Sequence, residues 1–154
     1  MPQPQEGAKA PAFKLPGSDG REHSLALYKD RAVVLYFYPK DDTPGCTVEA
    51  CEFGASHQKL QKAQAVVLGV SPDSLESHAK FIQKFKLPFV LLADEDHKVC
   101  EAYGVWVEKN NYGRSYMGVQ RATFLIKDGI VVKAWPKVKP EGHAAEVLAA
   151  LKTL

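Results

Sequence analysis

The chain has little of several things, and each shortage narrows its chemistry. No apolar run approaches the roughly 20 residues that a membrane-spanning helix needs. The opening MPQPQEGAKAPAF carries no apolar signal core, so a soluble, cytoplasmic protein is expected. Twenty lysines and arginines against 18 acids leave a net charge of only +2. With no basic stripe interleaved with aromatics, neither nucleic acid nor a membrane is an expected partner. Cysteine is scarce: Cys46, Cys51 and Cys100 are the three in 154 residues. An odd count that small makes no disulfide framework, and in a reducing compartment such thiols are inert, metal-bound or catalytic. Also missing are the Cys-x-x-Cys of dithiol oxidoreductases, the ligand spacing of structural zinc, and the paired glycines and lysine of a P-loop. His23, His57, His78, His97 and His143 lie scattered in polar segments and read as solvated, so no metal site is expected.

What is present is a core-forming composition, 45% hydrophobic and 25% charged, with no repeat, linker or low-complexity tract. One domain over residues 1–154 is expected. Ala32 to Tyr38 is almost continuously apolar, as a strand covered on both faces requires, and Ala65 to Val70 and Phe89 to Ala93 read likewise. Helical spacing follows the first strand, with Val48, Cys51 and Ala55 as its apolar face and Leu60 closing the segment. A second helix over LESHAKFIQKF puts Leu75, Ala79, Ile82 and Phe85 on one face, and a short one runs from Asp94 to Tyr103. Asp128-Gly129 between two apolar runs predicts a tight hairpin, and Glu141 to Leu154 a closing amphipathic helix. Strands alternating with helices, then a hairpin, make an α/β fold with a central mixed sheet flanked by helices.

Between the first strand and the first helix stands YPKDDTPGCTVEAC, which places Cys46 just past a cluster of chain breakers. A cysteine in the first turn of a helix, at the C-terminal end of a buried strand, sits where sites in open sheets gather. Unpaired N–H groups there favour an anion, so the thiolate gains over the thiol and becomes a ready nucleophile. Thr43 lies one turn before Cys46, close enough to bond a small polar ligand or only to brace the loop. Glu49, one turn after, is placed to orient a cation near the sulfur or only to favour the helix start. The neighbouring pair Asp41-Asp42 reads as turn residues.

Pro39, Thr43 and Cys46 stand as P-x-x-x-T-x-x-C, which resembles the active-site motif of peroxiredoxins. With Cys51 in TPGCTVEAC and GAKAPAFKLPGSDG near the start, the chain is similar to the bacterioferritin comigratory protein (peroxiredoxin Q) subfamily over nearly its whole length. The resemblance implies a thioredoxin-like fold and a thiol-dependent peroxidase that reduces hydrogen peroxide and organic hydroperoxides. It would make Cys46 the attacking residue, passing through a sulfenic acid. Thr43 would bond the peroxide and thiolate, and Pro39 would shield the pocket. Arg121, in QRATFLIKDG, would hold the thiolate and the leaving oxygen, although by itself it reads as a strand-end arginine in water. No cofactor is implied, since the sulfur carries the redox change.

The resemblance also implies a resolving Cys46–Cys51 disulfide, recycled by thioredoxin or a similar dithiol protein, with a monomer sufficient. Helix geometry objects. Residues five apart on a regular helix have Cα atoms roughly 8–9 Å apart and side chains ~140° apart in direction, whereas a disulfide needs less than about 7 Å. Either the segment unwinds after oxidation, or Cys51 is not the resolver. Cys100 reads as an inert half-buried thiol, with resolution of Cys46 or pairing between chains as alternatives. The same residues also suit a thiol redox sensor or a disulfide oxidoreductase without fast peroxide turnover.

Overall fold

The computed structural model describes residues 2–154. Two short strands, β1 (Lys14–Pro16) and β2 (Glu22–Ser24), pair antiparallel around the turn at residues 17–21, and a 3-10 turn over Leu25–Tyr28 leads to β3 (Ala32–Phe37). Then follow α1 (Pro44–Ala55), α2 (His57–Lys62), β4 (Ala65–Ser71), α3 (Leu75–Phe85), β5 (Val90–Ala93) and α4 (Lys98–Ala102). The chain finishes with β6 (Trp106–Asn111), β7 (Arg114–Val119), β8 (Ala122–Lys127), β9 (Ile130–Trp135) and α5 (His143–Leu151). The main sheet runs β5-β4-β3-β8-β9, with β3 parallel to β4 and antiparallel to β8. It is the mixed sheet the element order predicts. Among the described residues no helix is long and apolar enough to cross a membrane.

Every residue of β3 is buried because each face of the sheet carries its own core. Val34 and Tyr36 pack with Cys46, Ala50, Phe53 and Phe81 beneath α1 and α3. Val33, Leu35 and Phe37 pack on the opposite face with Cys100, Tyr103 and Phe124. Each such large side chain stabilises the fold by about 1.5–3 kcal/mol through its burial. Gly69 in β4 has no room for a side chain, since a Cβ there would lie 2.7 Å from Leu91 and 2.9 Å from the Tyr36 ring. The Asp128-Gly129 turn has positive φ at both residues, +52° and +77°, as a tight hairpin with right-twisted strands demands.

Two helix faces differ from the periodic reading. The buried residues of α1 are Cys46, Glu49, Ala50 and Phe53, while Cys51 and Ala55 face outward and Val48 is only half-buried. The apolar count misled because a carboxylate, Glu49, occupies the inner face. In α3 the buried residues are His78 and Phe81, with Ile82 and Phe85 half-buried and Leu75 and Ala79 exposed. The β6–β7 hairpin was not anticipated. Its strands are mostly polar and half-exposed, so no alternation of buried apolar residues marks them. Its turn residues Tyr112 and Gly113 both take positive φ, +51° and +78°, and that two-residue signal was the only one available.

Candidate active site

The loop leaving β3 is pinned from below before it reaches the helix. Asp41 is buried, and its carboxylate accepts from Tyr38 Oη (2.6 Å) and Ser77 Oγ (2.8 Å) and faces His78 Nδ1 at 2.7 Å. Its backbone N–H donates to Asp73 at 2.8 Å. His78 Nε2 lies 2.9 Å from the Leu92 carbonyl, which can only accept, so Nε2 donates there and Nδ1 faces Asp41. The expectation of plain turn residues therefore holds for Asp42, which turns the chain at φ +57° and pairs with Lys84 at 2.8 Å, and fails for Asp41. The expectation of solvated histidines fails for His23, His78 and His143, all buried. In each, the fold supplies a hydrogen-bond partner: Asp19 from the same turn for His23, but Asp41 and Thr123, 37 and 20 positions away, for His78 and His143.

Thr43, in extended conformation, is the N-cap of α1, and Pro44 fills the first helical position, where a missing N–H costs nothing. Cys46 follows as the third helical residue, 1% exposed. Arg121, from the segment between β7 and β8, donates from Nη2 to Cys46 Sγ at 3.3 Å and from Nη1 to Glu49 Oε1 at 2.7 Å. Gly45 gives the guanidinium its place, because a Cβ there would stand 3.2 Å from Arg121 Nη2 and 3.2 Å from Pro140. A side chain at position 45 would require the guanidinium or Pro140 to give by a few tenths of an ångström.

Glu49 is the unusual member of this group. Its side chain is fully buried and, among the described residues, its Oε2 has no hydrogen-bond partner. Burial raises its carboxyl from the ordinary 4.5 to about 7, with Arg121 offsetting only part of the rise. For Arg121, burial opposes the charge, but Glu49 and Cys46 outweigh it and hold the guanidinium ionised. A cation is thus fixed between a carboxylate and a sulfur. That arrangement can receive negative charge developing beside the sulfur.

The remaining expected residues are placed less decisively. The Thr43 hydroxyl donates to the Lys40 carbonyl at 2.9 Å, bracing the loop, and leaves its oxygen lone pairs as acceptors. Pro39 is half-buried at the end of the strand. Cys51 is exposed, and all three thiols are free. Cys100 is fully buried, not half-buried, and lies in the core on the far side of the sheet. Burial and the Asp94 carboxylate push its thiol well above the usual range. Gly45, Asp41 and His78 were not singled out from the sequence. Only a buried partner reveals them, and sequence spacing carries no such signal.

Residues 7–134 match the family model described as AhpC/TSA family. The chain is a peroxiredoxin of the AhpC/TSA family. It is 52% identical over 149 residues to peroxiredoxin Bcp of Bacillus subtilis (strain 168), covering 96% of this chain and 95% of that protein. Among solved structures, the peroxiredoxin Q of Xylella fastidiosa superposes with a TM-score of 0.92 at 38% identity, covering 98% of this chain and 97% of the other. The bacterioferritin comigratory protein of Xanthomonas campestris, solved as trapped intermediate and ligand complexes bearing on its alkyl peroxide reduction activity, gives 0.87 at 46% identity, covering 92% and 90%. This peroxiredoxin therefore has the thioredoxin-like α/β fold and is a thiol peroxidase.

Proposed function

We propose that Cys46 is the thiolate that attacks the peroxide, with the Arg121 guanidinium on its sulfur as the observation that carries the reading. The sulfur attacks the terminal oxygen of R–O–O–H, forming S–O and breaking O–O. Cys46 becomes Cys–SOH, and the leaving alkoxide takes a proton to become R–OH. Arg121 holds the thiolate before the reaction and faces the charge that moves onto the leaving oxygen. Glu49 orients Arg121 as a positioning residue. Thr43 hydrogen-bonds the peroxide through its free lone pairs, and Pro39 limits water access. Hydrogen peroxide and small organic hydroperoxides are the substrates.

Cys51 resolves the sulfenic acid within the same chain, water leaves, and a Cys46–Cys51 disulfide forms. A buried Cys46 and an outward Cys51 on one regular helix do not reach each other, so the first turns of α1 unwind to make the bond. Unwinding has a natural limit. Phe53 is fully buried against Tyr36 with ring centroids 4.8 Å apart, and Glu52 accepts from the Gly142 N–H at 2.8 Å. Amide exchange in the oxidised protein should rise in the first turns of α1. A formed bond with unchanged protection there would contradict the unwinding. Thioredoxin or a similar dithiol protein then restores both thiols, with the enzyme acting as a monomer in the cytoplasm. Cys46→Ser should abolish peroxide consumption, and retained turnover would overturn the assignment.

A further inference from the structure

A groove of about 380 Å³ lies between the end of α2 and the end of α5, lined by Lys59, Lys62, Ala63, Leu148 and Lys152. Its apolar lining comes from Leu148, Ala63 and the stems of three exposed lysines. Among the described residues none of these lysines is in an ion pair. Acids are scarce around them: α2, HQKLQK, has none, and the one acid of α5, Glu146, faces His143 Nδ1 at 3.3 Å. Lysines at the C-terminal ends of helices offset the helix dipole, which accounts for their sign. It does not account for an open apolar groove enclosed by three of them.

The groove shares a helical layer with Cys51. That thiol is exposed on α1, and its neighbour Glu52 accepts from the N–H of Gly142, the N-cap of α5, at 2.8 Å. Phe53 meets His143, the first residue of α5, with ring centroids 5.9 Å apart. Leu148 and Lys152 lie further along α5, so the groove begins roughly 9 Å and ends roughly 15 Å from the Glu52–Gly142 tie. A standard protein interface covers about 800 Å² on each partner, roughly 30 Å across. A protein that reaches Cys51 from solvent therefore has the groove within its footprint.

We propose that this groove is the docking site for the dithiol protein that reduces the Cys46–Cys51 bond, and that it takes an apolar side chain flanked by acidic ones. The three unpaired lysines set the charge of the partner, and the apolar lining holds its anchor. One reductant thiolate then attacks Cys51 Sγ, the exposed sulfur. The S–S bond breaks, Cys46 leaves as a thiolate, and a mixed disulfide forms. The reductant's second thiol attacks that bond and releases Cys51. The reductant departs as a disulfide, and its two electrons and two protons restore both thiols. The inference rests on the Cys46–Cys51 bond and its recycling by such a protein.

The test oxidises the protein with one equivalent of hydrogen peroxide and follows reduction of the disulfide by two probes, a thioredoxin of net negative charge and dithiothreitol. In the native chain the second-order rate with thioredoxin should fall with added salt. A variant carrying Lys59→Glu, Lys62→Glu and Lys152→Glu should lose about tenfold in that rate, and one carrying Lys59→Arg, Lys62→Arg and Lys152→Arg should keep it. Dithiothreitol, too small to use the groove, should reduce all three proteins at one rate. A thioredoxin rate unmoved by charge reversal overturns the inference. So does an equal loss with both probes, which marks a structural role for the lysines. A native disulfide that dithiothreitol reduces and thioredoxin does not overturns it as well. If peroxide forms no Cys46–Cys51 bond in the native chain, the resolving role of Cys51 falls, and this inference with it.

Discussion

Cys46 and Cys100 occupy the same place in two different helices. Each is the third residue of a helix that follows a strand of the central sheet, α1 after β3 and α4 after β5. Each is buried, 1% and 0% exposed, in one of the two cores on opposite faces of the sheet. Their neighbours have opposite charge. Over Cys46 stands the Arg121 guanidinium. Under Cys100 lies the Asp94 carboxylate, which caps α4 by accepting from the N–H of Val99 at 3.2 Å and of Cys100 at 2.8 Å. Under the proposed assignment of Cys46 as the reacting thiol, a helix start and burial do not by themselves distinguish the two, and the sign of the nearest fixed charge does.

The comparison is broken most completely by exchanging the sulfurs one at a time. Cys46→Ser should remove all peroxide consumption, and Cys100→Ser should leave the rate at that of the native protein, both followed by direct loss of hydrogen peroxide. Next in size is the cation. Arg121→Gln should lower the second-order rate of Cys46 oxidation by about 10²–10³-fold, the usual loss for one preorganised donor. Arg121→Lys should recover part of it, since a point charge cannot bond Glu49 and the sulfur together as a fork does.

A smaller effect separates the two environments by pH. Glu49 keeps its proton to about pH 7 in the fold against an ordinary 4.5, so the native state binds more protons between those values. Its contribution to stability is greatest below 4.5 and is lost as pH rises through 7. Urea unfolding should show that decline in the native protein and a flatter profile in Glu49→Gln. A native profile that rises over the same window would reverse the sign of the account. Smallest is Cys100→Ala, which should cost about 1 kcal/mol of stability through lost packing.

Why one of these thiols was legible in the sequence and its surroundings were not follows from range. Chain breakers around Thr43, Pro44 and Gly45 mark a strand-to-helix junction locally, and the apolar runs at Ala32 and Ala65 mark strands covered on both sides. Asp128-Gly129 fixes a hairpin by backbone preference alone. Arg121 is different. Nothing near it announces that its side chain crosses to Glu49, 72 positions earlier, and only the family motif singled it out. Asp41 and His78 failed for the same reason: polar residues in polar segments look solvated until the partner 37 positions away is known. The inner face of α1 was misassigned because Glu49, a buried acid paired with Arg121, breaks the hydrophobic pattern.

The most direct test reduces the protein, adds one equivalent of hydrogen peroxide, digests with trypsin without reductant and weighs the peptides. Cys46 and Cys51 share the fragment Asp41 to Lys59, and Cys100 lies in Val99 to Lys109. The account predicts the loss of two hydrogens within the first fragment and an untouched Cys100. A cross-link between the two fragments, or an oxidised Cys100 beside an intact Cys46, would contradict it.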